Sequence, residues 1–198
     1  SVEKTFLDDF CKKLNIPIPY SKKVKSFEEI KDNQLGMVIK PDLPIGGTRN
    51  VFRLLDINQA QIDFQKSQKE SKNDFVKVQE FIFGLDVIVI AIVQKKELAS
   101  ILFLDQWVVL IGNQFKKIGS SIPATNFSKI VINKIKRVIT SFIKSCKIDF
   151  GFVSFSFRVD LNNDVWLYEV NPGLLGDNIT EKLLPRAYPN DLKDLFKL

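Results

Sequence analysis

Apolar residues in the first stretch of the chain recur at helical spacing. In EKTFLDDFCKKL, residues 3–14, Phe6, Leu7, Phe10 and Leu14 share one face, and the prolines of the following NIPIP end the helix because they lack the amide donor it needs. Ser26 is placed to cap a short helix ending near Ile30. MVIKP at 37–41 reads as an apolar strand, residues 57–71 permit a polar helix, and FVKVQEFIFGLDVIVIAIVQKK at 75–96 reads as a strand, a connector and a long apolar strand. ASILFLDQWVVLIG at 99–112 predicts two further strands with a turn near Asp105-Gln106. From Phe127 to Lys147, Ile132, Ile135, Ile139, Phe142 and Cys146 alternate steps of three and four, with Val131 and Val138 widening the stripe, which predicts a long amphipathic helix. FSFRVDLNNDVWLYEVN at 155–171 then reads as a hairpin turning at Asn162-Asn163.

Composition narrows the chemistry. A chain of 198 residues, 45% hydrophobic and 26% charged, can bury a proper core as one domain or two joined lobes and reads as soluble and globular. Its longest apolar run, VIVIAIV at 87–93, is far too short to cross a membrane as a helix. Cys11 and Cys146 stand far apart, which fits a reducing, cytoplasmic setting better than a disulfide framework. The formal charge of +6 favours anionic partners, but the lysines are scattered, so nucleic-acid binding ranks below nucleotide or acidic-substrate binding. Histidine is absent. That excludes Ser-His-Asp triads, Cys-His pairs and the usual zinc sites, and leaves carboxylates, lysines, backbone amides and a hard metal ion.

The candidate residues follow from strand geometry. Residues two apart on a strand face the same way, so Glu169 and Asn171 aim a carboxylate and an amide oxygen together, a pair suited to Mg²⁺. With a two-residue turn at Asn162-Asn163, Ser156 falls opposite Glu169, flanked on its face by Ser154 and Arg158, while Asp160 lies at the hairpin end. Lys40 sits in an apolar strand, where a buried lysine must find an anionic partner or titrate; it is either a phosphate-binding or a strand-end solvated lysine. Lys4 stands in a first helical turn, where the macrodipole disfavours a cation, and is either a solvated surface lysine or a ligand-facing one. In PDLPIGGTRNV, Gly46 and Gly47 allow a turn that Thr48 and Arg49 furnish with a hydroxyl and a guanidinium; it is either a plain connection or a phosphate-covering loop. Glu80 and Asp86 flank the connector before the long strand and are strand-end residues or ligands.

In this order the parts resemble the nucleotide-binding core of the ATP-grasp superfamily, the fold of D-alanine–D-alanine ligase, biotin carboxylase and carbamoyl-phosphate synthetase. The resemblance implies an α+β fold of two lobes with mainly antiparallel sheets clamping a nucleotide. Residues 1–80 would form the small lobe and 81–198 the large lobe, with ATP and Mg²⁺ as cofactors. It further implies that Lys4 and Lys40 bind phosphates and that the loop from Gly46 through Gly47, Thr48 and Arg49 closes over them. Glu80 with the backbone of Phe81 and Ile82 would hold adenine, Asp86 the ribose, and Glu169 and Asn171, with Ser156 opposite, the metal. Lys40 and Arg158 are the catalytic candidates, the latter as a clamp on the transferring phosphoryl group.

The reaction so implied is ligation of a small carboxylate, such as an amino acid or peptide, to an amine through an acyl-phosphate. Two departures bear on it. Ser156 stands where such enzymes usually carry an acid or an amide, and Gly173 follows Pro172 where carboxylating relatives carry arginine, which disfavours bicarbonate as substrate. The rival reading is a nucleotide-binding sensor or structural module with reduced catalysis. An upstream N-terminal domain is expected to complete the cleft, and the oligomeric state, homodimer included, stays open.

Overall fold

The computed structural model of the protein describes residues 4–31, 34–45, 50–175 and 179–188. The loop residues Gly46, Gly47, Thr48 and Arg49, and Gly176 and Asp177 beyond the final strand, lie outside them. The chain divides into two compact units, residues 1–84 with 108–118, and residues 85–107 with 119–198.

In the first unit, helix α1 (Lys4–Lys13) leads to strand β1 (Ser21–Val24), followed by a 3₁₀ turn at Phe27–Glu29, β2 (Val38–Pro41), β3 (Phe52–Arg53), α2 (Ile57–Lys69) and β4 (Val76–Gln79). The strands align antiparallel in the order β1-β4-β2-β3. Alternation gives this sheet an apolar and a polar face. Val24, Ile39, Val76 and Val78 pack on Leu54, Ala60 and Phe64 beneath α2, a helix opened by Asp56, whose carboxylate accepts the Asn58 amide at 2.9 Å.

The stripe that α1 buries is rotated from the one its large apolar residues suggest. Phe6 is exposed, whereas Lys4, Leu7, Asp8 and Cys11 are buried. The helix turns a partly ionic stripe inward, and the reason lies in what it meets on the sheet, described below.

The second unit is built from β5 (Leu85–Gln94), most of β6 (Glu97–Ile111), the end of β7 (Gln114–Ser121), α3 (Lys129–Cys146), β8 (Phe150–Val159) and β9 (Val165–Pro172). A π-type turn at Ile179–Leu183 then runs into the short helix α4 (Leu184–Ala187). The strands order antiparallel as β6-β5-β8-β9. The turn expected near Asp105-Gln106 does not form: β6 is one continuous strand that reverses only beyond Ile111. Asp105 pairs with Val87 in register, and its carboxylate accepts the Thr125 amide and the Ser121 hydroxyl, so this turn-like residue anchors the loop before α3 instead.

Val87 through Val93 are buried without interruption because both faces of β5 are covered. On one side α3 lays down Val131, Ile135, Ile139, Phe142 and Ile143, with the Phe142 and Phe155 rings edge to face at 5.3 Å. Cys146, assigned to that stripe by its spacing, is exposed, and Ile143 takes the inward position. On the other side Ile88, Ile90, Ile92, Leu102 and Leu104 pack with Ile179 and Leu184 of the C-terminal turn. No helix among the described residues is long and apolar enough to cross a membrane.

Candidate functional site

On the polar face of the first unit, register places Lys77 of β4 directly opposite Lys40 of β2 and Lys23 of β1, so three lysines form one row across three strands. Lys40 and Lys77 are buried, at 7% and 1% exposure, as is Lys4 on α1 at 9%. Two buried aspartates answer them. Asp8 of α1 holds the Lys77 ammonium at 2.6 Å from both carboxylate oxygens and accepts the Ser21 hydroxyl. Asp42 lies 3.1 Å from Lys23 and accepts from the Asn73 amide at 2.9 Å. Its backbone carbonyl takes the Lys4 N–H at 3.1 Å. Burial drives the Lys77 pKa down, and the Asp8 charge only partly opposes this. This row is why α1 turns Lys4 and Asp8 toward the sheet.

Gln79 shares that face, two residues beyond Lys77 and opposite Ser21 and Val38. It is 5% exposed, and its buried Oε1 has no hydrogen-bond partner among the described residues. A buried acceptor without a donor is costly, so this atom suits a ligand that brings an N–H. The neighbouring Glu80 is exposed and tied to Tyr20, whose carbonyl takes the Glu80 N–H at 2.8 Å and whose N–H reaches the Glu80 carboxylate at 3.3 Å. In the connector that follows, Phe81 and Ile82 are half-buried; Phe81 stacks on Phe115 at 5.7 Å, and the Arg53 guanidinium lies over Phe81 at 4.3 Å.

On the second unit, the face opposite α3 carries a polar patch on β5, β8 and β9. Asp86 pairs with Arg158, Ile88 with Ser156 and Ile90 with Ser154, while Ser156 pairs with Glu169 and Ser154 with Asn171. The expected Ser156–Glu169 pairing is present, but by a different route. The loop closes with Val159 opposite Val165, one residue longer than a two-residue turn at Asn162-Asn163, and the register then shifts between Ser156 and Phe157. Tyr168 is the extra residue of that bulge, and the added residue restores the pairing. Asp160 accounts for the longer loop: its carboxylate accepts the Asn162 and Asp164 amides and the Trp166 indole, each at 2.9 Å.

The bulge has a chemical consequence, since Tyr168 and Glu169, consecutive in sequence, both present to the polar patch. The Tyr168 phenol interacts with Ser156 and with the Asp86 carboxylate, which links the three in a chain of polar groups. Arg158 completes the chain, with Nε 2.8 Å from Asp86 Oδ1 and Nη2 3.0 Å from Oδ2. Asp86 is 6% exposed, and its burial raises the carboxyl pKa against the opposing pull of Arg158 and Tyr168. Burial, reinforced by the Asp86 charge, carries the Tyr168 phenol well above its usual value.

Glu169 and Asn171 are half-buried at the end of β9, and the Asn171 carbonyl accepts the Ser154 hydroxyl at 3.3 Å. Among the described residues no group of three or more His, Cys, Asp or Glu side chains is placed to hold a metal. One carboxylate and one amide nonetheless fit Mg²⁺, which takes one or two protein oxygens and completes its shell with water and phosphate.

The first unit thus gathers Lys4 and Lys40, and the second gathers Asp86, Ser156, Arg158, Glu169 and Asn171. Reading the sequence missed Asp8, Lys77, Gln79 and Tyr168. VKVQ carries the same signal as VIKP, a polar residue at alternate positions of an apolar strand. The bulge is signalled by the inward series Val165, Leu167, Val170, whose second step is three rather than two.

Comparison with known proteins places these features in context. A family model described as an ATP-grasp domain matches residues 2–176. No curated protein matches the chain by sequence. Among solved structures, a phosphoribosylamine–glycine ligase from Thermotoga maritima is similar with a TM-score of 0.75 at 22% identity, covering 96% of this chain and 52% of its own. D-alanyl-alanine synthetase A from Vibrio cholerae gives 0.73 at 15%, covering 94% and 60%. An L-amino acid ligase from Bacillus licheniformis gives 0.71 at 15%, covering 92% and 43%. At such identities the likeness is one of fold, and the chain spans roughly half the length of these structures.

Proposed function

The chain belongs to the ATP-grasp domain family, and from that premise we propose that it is the nucleotide-binding core of an ATP- and Mg²⁺-dependent ligase joining a carboxylate to an amine. The observation that carries the reading is the polar face of the first unit, where buried Lys4 and Lys40 accompany Lys77 and Lys23 against the carboxylates Asp8 and Asp42. Ammonium groups gathered on one face attract a polyanion, and a triphosphate is such an anion. In this reading Lys4 and Lys40 neutralise phosphate charge, and the 46–49 loop covers it. Adenine lies along the backbone of residues 80–82, with Gln79 Oε1 accepting its amino group.

Mg²⁺, held by Glu169 and Asn171 with Ser156 opposite, would supply charge neutralisation at the phosphates. Phosphoryl transfer needs positioning and electrostatics more than covalent help, which suits a chain without histidine. A substrate carboxylate oxygen attacks the γ-phosphorus and ADP leaves. The amine then adds to the acyl carbon, loses its proton, and phosphate departs. Arg158 stands as the fixed cation for the transferring group, and Asp86, which Arg158 already engages, takes the ribose hydroxyls with its remaining acceptor capacity.

A second reading rests on Ser156 itself. It puts a hydroxyl opposite Glu169, so the metal patch carries Glu169 without a second carboxylate across the ladder, as suits a module that binds nucleotide without ligation. Release of ADP and phosphate from MgATP with a panel of amino acids and other small carboxylates and amines separates the two. Turnover dependent on both substrates supports the ligase; stabilisation by nucleotide without turnover supports the binding module.

A further inference from the structure

Lys77 ends in an ammonium group, yet it is among the most buried side chains of the described residues. Its ammonium lies 2.6 Å from both oxygens of Asp8 and 3.4 Å from the carbonyl of Lys4, in the first turn of α1. Asp8 is one helical turn beyond Lys4 and so shares its face. In the sheet, Lys77 is the register neighbour of Lys40. One residue therefore touches the helix that carries one phosphate-binding lysine and stands beside the strand position that carries the other.

A buried ion pair is a poor source of stability, because apolar residues of similar volume commonly hold a helix to a sheet as well or better. What an ion pair supplies is direction: two oxygens on one ammonium fix where α1 sits along the strand. Lys77 is also neutralised in place by Asp8, so the pair adds no net charge to the site. Its contribution there is geometric.

Resting on the ATP reading above, we infer that Lys77 is a positioning residue that, through Asp8 and the Lys4 carbonyl, sets the Lys4 ammonium relative to Lys40 so that both meet one polyphosphate. The test is the double variant Lys77→Met with Asp8→Asn. It removes one positive and one negative charge, leaves the net charge of the face unchanged, and strands no buried ion. Calorimetric titrations with MgATP and with adenosine are compared in wild type and variant, with circular dichroism and melting as checks on the fold.

The expected result is a loss of MgATP affinity of about tenfold or more, the cost of a small misplacement of a charged contact, with adenosine affinity unchanged. Since the net charge is constant, weaker attraction for the anion cannot produce that split. Equal MgATP affinity in variant and wild type overturns the inference, and so does an equal loss for both ligands in a folded variant. Should the double variant fail to fold, Lys77→Gln with Asp8→Asn, which keeps the charge balance and polar groups at both positions, is read by the same ratio. A wild-type protein that binds adenosine and MgATP equally, or neither, removes the ATP reading itself, and the inference falls with it.

Discussion

Ser156 stands directly opposite Glu169 in the β8–β9 ladder, so the place from which a second carboxylate would face the metal patch is held by a hydroxyl. Ser156→Asp puts two like charges across one ladder position, a cost of roughly 0.2–1 kcal/mol without metal. In metal-free buffer the variant is expected to melt below wild type, and Mg²⁺ or Mn²⁺ is expected to raise its melting temperature by more than it raises that of wild type. A metal response no larger than wild type's would place the cation elsewhere.

The Tyr168 phenol interacts with both Ser156 and Asp86. Tyr168→Phe keeps the ring and the bulge but takes a polar partner from the buried Asp86 carboxylate and from Ser156. The expected loss is about 1–3 kcal/mol of unfolding free energy in urea, with unchanged m-value. A change below a few tenths would mean that the phenol is not part of the network.

The buried carboxyl of Asp86 titrates above the ordinary value of 3.8 because desolvation outweighs Arg158 and Tyr168. Between 3.8 and that raised value, the folded protein holds a proton that the unfolded chain has released. Stability from this group therefore falls as pH rises through the window and returns as pH is lowered. The stability of wild type relative to Asp86→Asn is expected to increase on acidification from neutrality toward 3.8. A gap that shrinks on acidification would show the Arg158 pair winning over burial.

Gln79 holds a buried amide oxygen without a donor among the described residues. Gln79→Met removes that desolvation penalty, so the variant is expected to gain about 1 kcal/mol of stability while binding ATP more weakly. A variant less stable than wild type, with ATP affinity intact, would make Gln79 an ordinary packing residue.

How far the sequence reveals the structure depends on whether a feature is local. The α3 helix, the buried β5 and the candidate strand residues follow from periodicity, which reports one element at a time. The burial of Lys77 and Asp8 depends on which helix meets which face of the sheet, and no period in either segment encodes it. α1 is the clearest case, because its hydrophobic stripe points to Phe6 while its contacts select Lys4 and Asp8. In β9 two local departures from ideal geometry, a longer loop and a bulge, cancel at Glu169, so a simple turn arrives at the right pairing while Tyr168 goes unseen. In β6 the polar Asp105-Gln106 step suggests a turn, yet its carboxylate is satisfied by Ser121 and Thr125, more than a dozen residues downstream.

The proposed function predicts that MgATP binding depends on Lys40 of the first unit and, separately, on Glu169 of the second. Calorimetric titration of MgATP into wild type, Lys40→Met and Glu169→Gln, each checked for native circular dichroism, tests it most directly. Saturable binding by wild type is expected, with loss of about tenfold or more in each variant and, for Glu169→Gln, loss of the dependence on Mg²⁺. Wild-type affinity retained in both folded variants, or no MgATP binding by wild type, would contradict the account.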